Sequence, residues 1–328
     1  MTEPAPEIGI VAIGRNEAEN LQRCLLSAGI GEQPVAYVDS GSTDGSIAIA
    51  ERLGAEVIEL DTDRPFSAAR ARNAGYQHLL KLYPDLPYIQ FVDADCEIVA
   101  GWLDEAASTL SRHRSTAAVC GRRREREPEQ SVFNRLCDLE WDRPCGIVAS
   151  CGGDAMYRAE ALVEVGGFDA TVVAGEEPEL CHRLGRAGWQ IRRVNAEMTL
   201  HDARMTRVSQ WWQRAVRSGL ASAEAATGRP LTIARKLVST WAWALGWPVL
   251  TAGLYLFWGT AGLWMLAAPL LLLVRIALRQ LVRRGWPLRH CLLYAAHCWL
   301  AKWPEAVGHL RWLSRRLLGR RQTLVEYR

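Results

Sequence analysis

The chain has 328 residues, of which 49% are hydrophobic and 23% charged, and its formal net charge is +3. This length suffices for one large core with an appendage or for two domains. The nine cysteines include no C-x-x-C pair, which argues for reduced thiols in a cytosolic setting and against a disulfide framework or a zinc site. Residues 1–7 lack the basic start and apolar core of a signal peptide.

Charge and tryptophan are distributed unevenly along the chain. Residues 275–328 contain 12 basic and 2 acidic residues, a local net charge of +10, whereas the residues before them carry −7. Of the 14 tryptophans, 11 lie at or after Trp211. An acidic front and a basic, tryptophan-rich rear indicate a soluble domain followed by a membrane-associated tail.

Short apolar runs alternate with helical patterns over the first 120 residues. Strands are predicted at residues 8–13, 35–38, 56–60, 88–92 and 117–120, and helices after residue 17, at 46–53 and at 67–82. This alternation predicts an α/β fold with a doubly wound, mainly parallel sheet. No G-x-G-x-x-G follows the first strand and no Walker sequence occurs, so we do not expect a dinucleotide site of the Rossmann type.

Two carboxylates, Asp93 and Asp95, directly follow the predicted fourth strand. Side chains two apart on an extended segment point the same way, so the pair is predicted to converge at the carboxyl edge of the sheet, where open α/β sheets bind ligands. Carboxylate oxygens suit Mg²⁺ or Mn²⁺, which commonly share their coordination shell with substrate phosphates. From these two residues alone, a solvated turn is the alternative, because aspartate favours turns.

Two later stretches carry further candidate site residues. At Gly152 and Gly153 a backbone could approach a ligand closely, although an ordinary turn explains them as well. Pro178 suits the first position of a helix, so Glu177 is predicted at the helix start, where the helix dipole favours an ionised carboxylate. Such a carboxylate beside a cleft can act as a general base, and a capping acid without chemistry is the alternative.

In this order the motifs resemble those of the family-two inverting glycosyltransferases, which have the A-type nucleotide-sugar transferase (GT-A) fold. The resemblance covers about residues 8–219. It is carried by Asn16-Glu17, by Val-Asp-Ser-Gly-Ser-Thr-Asp-Gly at residues 38–45, by Ala-Arg-Asn-Ala-Gly at 71–75, by Asp-Ala-Asp at 93–95, by the glycine loop at 152–158, and by Glu-Glu-Pro-Glu-Leu at 176–180 with Arg183.

The resemblance implies a role for each matching residue. Expected donor-binding residues for a nucleotide-diphosphate sugar are Asn16, Glu17, Asp39, Arg72 and Asp93. A Mg²⁺ or Mn²⁺ cofactor would be held by Asp93 and Asp95, chiefly by Asp95. Gly152, Gly153 and Glu176 would lie on the acceptor side, and Glu177 would be the catalytic base. No nucleic-acid partner is expected.

Two departures from the family pattern matter. The family usually has aspartate as its base, and Glu177 keeps the carboxylate but adds a methylene, which leaves Glu176 as a second candidate. The processive synthases of the family carry Q-x-x-R-W, whereas residues 210–214 of this chain have similar letters in a different spacing. We therefore expect transfer of one sugar and not polymerisation.

Residues 237–274 contain no Asp, Glu, Lys, Arg or His over 38 positions. One membrane span needs about 20 residues, so this stretch predicts a hairpin of two spans joined near Trp258. Basic residues on both flanks predict that both ends stay cytoplasmic. Residues 275–328 are predicted to form an amphipathic basic tail at the anionic membrane surface. A buried helical hairpin of a soluble protein is the alternative.

The sequence thus predicts a glycosyltransferase domain at residues 1–228 and a membrane-associated helical region at 229–328. We expect an integral protein on the cytoplasmic face of the inner membrane that serves lipid-linked glycan or surface polysaccharide synthesis, with a polyprenol-linked or other lipid acceptor. One alternative is a catalytically silent nucleotide-sugar-binding membrane protein. Another is a Mg²⁺-dependent phosphohydrolase with an aspartyl nucleophile at residues 93–95, which the late position and the following Cys96-Glu97 disfavour.

Overall fold

The computed structural model of the protein describes residues 7–61, 63–172, 175–225 and 230–318. Within this part the chain forms two units. Unit 1 contains the described residues up to Glu127 together with Glu140–Ala203, and unit 2 contains Pro128–Leu139 and the described residues from Arg204 onward. The predicted domain boundary at residues 228 and 229 lies outside the described residues, as does the end of the predicted basic tail at 319–328, and both stay predictions.

Within the described part of unit 1, nine strands form one sheet. The strands are β1 (Ile8–Gly14), β2 (Val35–Asp39), β3 (Glu56–Glu59), β4 (Tyr88–Asp93), β5 (Cys96–Ile98), β6 (Thr116–Glu125), β7 (Gly146–Val148), β8 (Ala155–Arg158) and β9 (Gln190–His201). Their order is β3-β2-β1-β4-β8-β6-β9-β5, with β7 paired to β9. The first four strands in this order are parallel, and β8 is antiparallel to both of its neighbours.

The helices of unit 1 lie between these strands. They are α1 (Ala18–Ser27), α2 (Ser46–Leu53), α3 (Ala68–Leu82), α4 (Trp102–Arg112), α5 (Val132–Trp141, shared with unit 2), α6 (Ala159–Glu164) and α7 (Glu176–Arg186). Helix α3 begins after Ser67, whose hydroxyl accepts a hydrogen bond from the Arg70 N–H at 3.2 Å. A Cβ on Gly75 would lie 2.3 Å from Cγ1 of Val11, so a glycine is required for α3 to pack this closely on β1.

The prediction of an α/β fold with a mainly parallel sheet is confirmed. The predicted strand at residues 117–120 is too short, because β6 continues to Glu125. Its charged residues alternate between two faces: Arg122 approaches Asp142 and Arg124 binds Glu197, whereas Arg123 points toward Asp93. Alternating charges that each find a partner therefore extend the strand into a segment that reads as a polar loop in the sequence.

Unit 2 is helical. Its further helices are α8 (Val208–Ala225), α9 (Pro230–Trp241), α10 (Trp247–Trp258), α11 (Ala267–Arg284), α12 (Leu288–Leu300) and α13 (Lys302–Leu317). A π-helical turn, Ala242–Gly246, precedes α10, and a 3₁₀ segment, Gly259–Leu266, follows it. The 3₁₀ segment begins directly after Trp258, near which the sequence predicts the joint between two apolar helices.

Two helical stretches of unit 2 are long and apolar enough to cross a membrane, judged by length and composition: Arg235–Gly262 and Trp264–Arg284. Only 6% and 11% of their apolar windows are buried, so they are not core helices of the usual buried kind. The second stretch continues beyond the predicted end at residue 274 as far as Arg284 and includes Arg275, Arg279, Arg283 and Arg284. These four arginines therefore lie within the second helix, the last two at its end, rather than on its flank.

Candidate active site

Opposite charges meet at the carboxyl end of β4. Each oxygen of Asp93 binds a different arginine: Oδ1 accepts from Nη2 of Arg72 at 2.9 Å, and Oδ2 accepts from Nη2 of Arg123 at 3.1 Å. Burial raises the pKa of the Asp93 carboxyl, against the opposing effect of the two arginines. Asp154, which is fully buried, accepts from the Asp93 N–H at 3.1 Å and also binds Arg123.

Asp95 lies in the turn after β4 and has a different partner. Its Oδ2 is 3.2 Å from Nε2 of His201 at the end of β9, and Nδ1 of the same ring is 3.6 Å from Oε2 of the buried Glu125. Burial opposes ionisation of Asp95, but His201 outweighs it, and the pKa of the carboxyl lies below its usual range. Likewise, burial opposes protonation of His201, but Asp95 raises its pKa to about 9. The two carboxylates predicted to converge thus face different partners.

The residues around Asp95 fit a divalent cation. The ligand atoms of Asp95, Cys96 and His201 lie within 4.8 Å of one another, and so do those of Asp93, Cys96 and Asp154. Burial raises the pKa of the Cys96 thiol, and sulfur suits soft cations better than Mg²⁺ or Mn²⁺. The remaining donors are carboxylate oxygens, which suit Mg²⁺ and Mn²⁺, and one imidazole nitrogen. That Asp93 and Asp95 hold such an ion stays a prediction.

Helix α7 carries the acid pair Glu176 and Glu177 to the same cluster. The helix begins at Glu176 with Gly175 as its N-cap, so Pro178 is its third residue and not its first as predicted. Proline is tolerated there because the N–H groups of the first turn have no intrahelical partner. Nη1 of Arg72 donates to Oε1 of Glu176 at 2.9 Å and lies 3.5 Å from Oε1 of Glu177.

Glu177 differs from Glu176 in exposure and ionisation. Its side chain is 18% exposed, against 9% for Glu176. Burial raises the pKa of Glu177 to about 7, and the charge of Glu176 adds to the rise while Arg72 opposes it. This direction is opposite to the one predicted from the helix dipole, because burial and the neighbouring carboxylate outweigh the dipole. A partly exposed carboxyl with this pKa can accept a proton near neutral pH.

Asp39 ends β2 and is 1% exposed. Its Oδ1 accepts hydrogen bonds from the hydroxyls of Tyr37 and Ser42 at 3.0 and 2.5 Å. Its Oδ2 accepts from the N–H groups of Gly41 and Ser42 at 2.8 and 2.7 Å. All four bonds stay within the strand end and the loop that follows, so this carboxylate fixes the shape of that loop.

Asn16 and Glu17 follow β1 and contact the same loop. The Asn16 N–H donates to Oγ of Ser42 at 2.8 Å, and Oδ1 of Asn16 accepts from the Thr43 N–H at 2.8 Å. Oε2 of Glu17 accepts from Nδ2 of Asn20 at 3.1 Å. The loops after β1 and β2, here called the loop pair, therefore bring Asn16 and Asp39 together as neighbours of one turn.

The two predicted glycines differ in their surroundings. A Cβ on Gly153 would lie 2.3 Å from Nη2 of Arg72 and 3.2 Å from either carboxylate oxygen of Asp93. A Cβ on Gly152 would meet no described atom within 4 Å. Gly153 therefore allows its backbone to pass close beside the salt bridge of Arg72 and Asp93. Gly152 faces open space, and its close approach to a ligand stays a prediction.

Four site residues carried no prediction of a role from the sequence: Arg123, Glu125, Asp154 and His201. A strand alternation over residues 122–125 was the available signal for Arg123 and Glu125, which face the site while Arg122 and Arg124 face away. Asp154 lies within the predicted glycine loop at 152–158, directly after Gly153. His201 stands in no recognisable motif, and only the pairing of β9 with β5 brings it to Asp95.

Comparisons with known proteins indicate the family and the fold. Residues 10–164 match the family described as "Glycosyl transferase family 2". The succinoglycan biosynthesis protein ExoA of Rhizobium meliloti (strain 1021) is 27% identical over 193 residues, which cover 55% of this chain and 57% of that protein. The pre-mycofactocin glycosyltransferase of Mycobacterium tuberculosis (strain ATCC 25618 / H37Rv) is 26% identical over 262 residues, 75% of this chain and 53% of that protein.

The chain thus spans little more than half the length of these two relatives. A solved structure, of the mannosyltransferase PcManGT from Pyrobaculum calidifontis in complex with GDP-Man and Mn²⁺, resembles this one with a TM-score of 0.59 and 17% sequence identity, over 94% of this chain and 88% of that chain. This likeness shows the fold. The family match over residues 10–164, a little under half of the chain, confirms the predicted resemblance to glycosyl transferase family 2, and the likeness in structure confirms the GT-A fold.

Proposed function

We propose that the protein transfers one sugar from a nucleotide-diphosphate sugar to an acceptor hydroxyl with inversion at the anomeric carbon. One observation carries the proposal: the guanidinium of Arg72 binds Asp93 of the Asp-Ala-Asp motif with one terminal nitrogen and the acid pair of α7 with the other. Candidate donor-side and base residues therefore lie within the reach of one side chain, as a direct displacement requires.

The residues divide between the two substrates. Asn16, Glu17 and Asp39 would surround the nucleotide, and Asp93 would face the sugar diphosphate. Asp95, with His201 beside it, would hold Mg²⁺ or Mn²⁺, which neutralises negative charge on the leaving diphosphate. The resemblance assigns Arg72 to the donor, but its contacts with Asp93 and with the acid pair of α7 support a different role.

Glu177 would act on the acceptor. Its carboxylate would take the proton from the acceptor hydroxyl as that oxygen bonds to the anomeric carbon and the bond from this carbon to the diphosphate oxygen breaks. Gly152, Gly153 and Glu176 would lie on the acceptor side. The pKa of about 7 for Glu177 and its partial exposure support this assignment.

The acceptor proposed is lipid-linked, at the cytoplasmic face of the inner membrane. Two apolar helices of unit 2 and the basic residues that surround them support insertion with both ends on the cytoplasmic side. A role in surface polysaccharide or lipid-linked glycan synthesis is in line with the name of one relative, a succinoglycan biosynthesis protein.

The test uses the full chain in nanodiscs with MnCl₂, a panel of radiolabelled UDP- and GDP-sugars, and a polyprenyl-phosphate or lipid-extract acceptor. We expect label to move to the lipid phase, with an anomeric configuration opposite to that of the donor by NMR. Donor binding without transfer to any acceptor would favour the silent binding protein. Release of inorganic phosphate from phosphate esters without sugar transfer would favour the phosphohydrolase.

A further inference from the structure

Arg72 is closed off from a ligand in this structure. Its side chain is 3% exposed, and both terminal nitrogens bind carboxylates of the protein, Asp93 on one side and Glu176 with Glu177 on the other. Its Nε is also buried and forms no hydrogen bond with the described residues. A phosphate oxygen cannot reach this guanidinium unless one of these salt bridges opens.

A second set of contacts holds the guanidinium in place. Asn73, the next residue of α3, forms two hydrogen bonds with the backbone of Phe168: Nδ2 donates to the carbonyl oxygen at 2.7 Å, and Oδ1 accepts from the N–H at 2.9 Å. The Phe168 ring lies 5.6 Å from Cζ of Arg72 and packs edge-on against Phe91. The ring is thus fixed from two directions beside the cation.

The remaining side of Arg72 is closed by Gly153. The Gly153 backbone passes so near that even a methyl group there would collide with Nη2. Four elements therefore surround the guanidinium in addition to its own helix: β4 with Asp93, α7 with the acid pair, the loop before β8 with Gly153, and the segment after α6 with Phe168. Enclosure of this kind fixes the guanidinium and holds its partners at set distances.

We infer that Arg72 is a positioning residue, which holds Asp93 and the Glu176–Glu177 pair in register with one another and does not bind the donor. The inference rests on the proposed function, with Glu177 as the base. A guanidinium suits this part because its planar fork presents donors in fixed directions and can bind two carboxylates at once, whereas an ammonium is a single point charge. Without the cation, Glu176 and Glu177 would face one another uncompensated, and Asp93 would keep only Arg123.

The charged and titratable groups that face Glu177 determine how the ionisation of Glu177 changes when Arg72 is lost. They are Glu176 on its own helix, Asp93 at the end of β4, Tyr157 of β8 and Cys151 before it, with Arg72 as the cation among them. Removal of that cation leaves groups that disfavour ionisation of Glu177. The acid limb of the pH dependence of turnover, where turnover falls as Glu177 becomes protonated, should then move to higher pH.

The experiment compares Arg72→Gln and Arg72→Lys in the full chain. We expect both variants to bind UDP and GDP with MnCl₂, measured by calorimetry, within about threefold of the wild-type affinity. Turnover with a nucleotide sugar from the panel described above that serves as donor should fall in both, by about 10²-fold or more for Arg72→Gln, since the base loses its set position. The acid limb should move to higher pH in Arg72→Gln and stay in place in Arg72→Lys, which keeps the charge.

Arg112→Gln is the matched control, because Arg112 is an arginine on the surface of α4 with a 62% exposed side chain. It should leave affinity, turnover and the rate profile unchanged. Unfolding temperatures of all variants separate loss of fold from loss of position, and Arg72→Lys decides the question if Arg72→Gln does not fold.

Two results would overturn the inference while leaving the proposed function intact: a tenfold or greater loss of nucleotide affinity in either variant, or a fall in turnover with an unmoved acid limb in Arg72→Gln. If the wild-type protein transfers no sugar, the proposed function fails instead. The calorimetric comparison still shows in that case whether Arg72 contacts the nucleotide.

Discussion

The loop pair after β1 and β2 and the charged side chains around Asp93, Asp95 and Glu177 differ in how they use their polar groups. In the loop pair, the two carboxylate oxygens of Asp39 accept four hydrogen bonds from nearby residues. Around Asp93 and Glu177, carboxylates from β4 and α7 share one buried arginine, and the pKa of Glu177 reaches about 7.

The two regions are therefore suited to different roles, the first to holding a loop in shape and the second to proton transfer. A carboxylate that is fully hydrogen-bonded within its own loop keeps one geometry and presents the backbone around it to a ligand. For the other kind of carboxylate, burial and a neighbouring acid disfavour the ionised form while a cation favours it. Such a carboxylate can change its protonation state at little cost in free energy. We therefore expect substitutions in the loop pair to affect stability and nucleotide binding, and substitutions at Glu177 to affect the chemical step.

The largest effect is expected for Glu177→Gln. The amide keeps the size of the side chain but cannot take a proton, so turnover should fall by about 10²- to 10⁴-fold while nucleotide affinity stays near the wild-type value. Single-turnover kinetics and calorimetry measure the two quantities. Glu160→Gln, at an exposed position of α6, is the control. Full turnover in Glu177→Gln would remove the assignment of the base.

Asp95→Asn should have the next largest effect, on metal-dependent binding. The substitution removes the negative charge beside His201, and loss of a metal-site residue typically costs about 10- to 100-fold in affinity. Titration of Mn²⁺ followed by electron paramagnetic resonance, with and without nucleotide, measures it. Asp104→Asn on the surface of α4 serves as the control. Equal Mn²⁺ affinity in Asp95→Asn and wild type would place the metal elsewhere.

The dependence of turnover on pH should show the raised pKa of Glu177. The base form is the deprotonated one, so turnover should rise with pH through about 7 and fall about tenfold for each unit below it. In Glu176→Gln the neighbouring negative charge is lost, the pKa of Glu177 falls, and the acid limb should move to lower pH. An acid limb near the usual glutamate value in the wild type would show that burial does not act on Glu177 as described.

The smallest effect is expected for Asp39→Asn, in the loop pair. The amide nitrogen cannot accept hydrogen bonds, so one side of the turn loses its acceptor, at a cost of about 1–3 kcal/mol in the free energy of unfolding. Urea denaturation of the detergent-solubilised chain measures this, with Asp85→Asn at an exposed position as the control. The acid limb of turnover should not move. A shifted limb would mean that the two regions are electrostatically coupled.

The sequence predicted the parallel half of the sheet well, because β1, β2 and β4 are short buried apolar runs followed by polar turn residues, and β3 holds Val57 and Ile58 between two exposed glutamates. Helix α2 was predicted at its observed bounds, and α3 within one residue. The antiparallel part was harder. β8 has only four residues and β7 three, so neither shows a periodic pattern, and β6 ends in charged residues that resemble a loop.

The same limits apply to the site. Asp93, Arg72 and the acid pair stand in motifs and were found, whereas Arg123 and His201 reach the site through strand pairing between distant segments. The helix dipole suggested an ionised Glu177, because the sequence does not show how deeply α7 is buried or that Glu176 faces the same arginine. Local patterns thus identified the residues, and their protonation depended on tertiary packing.

The position of β8 between β4 and β6 has a consequence for synthesis on the ribosome. Strands β1 to β4 are complete once residue 93 has been made, but the free edge of β4 is covered only when β8, at Ala155–Arg158, has emerged. Until then a nascent chain exposes an unpaired strand edge next to apolar residues, which is a surface prone to intermolecular pairing. A truncation before residue 155 would make that transient edge permanent, so this fold carries an aggregation hazard in the middle of the chain.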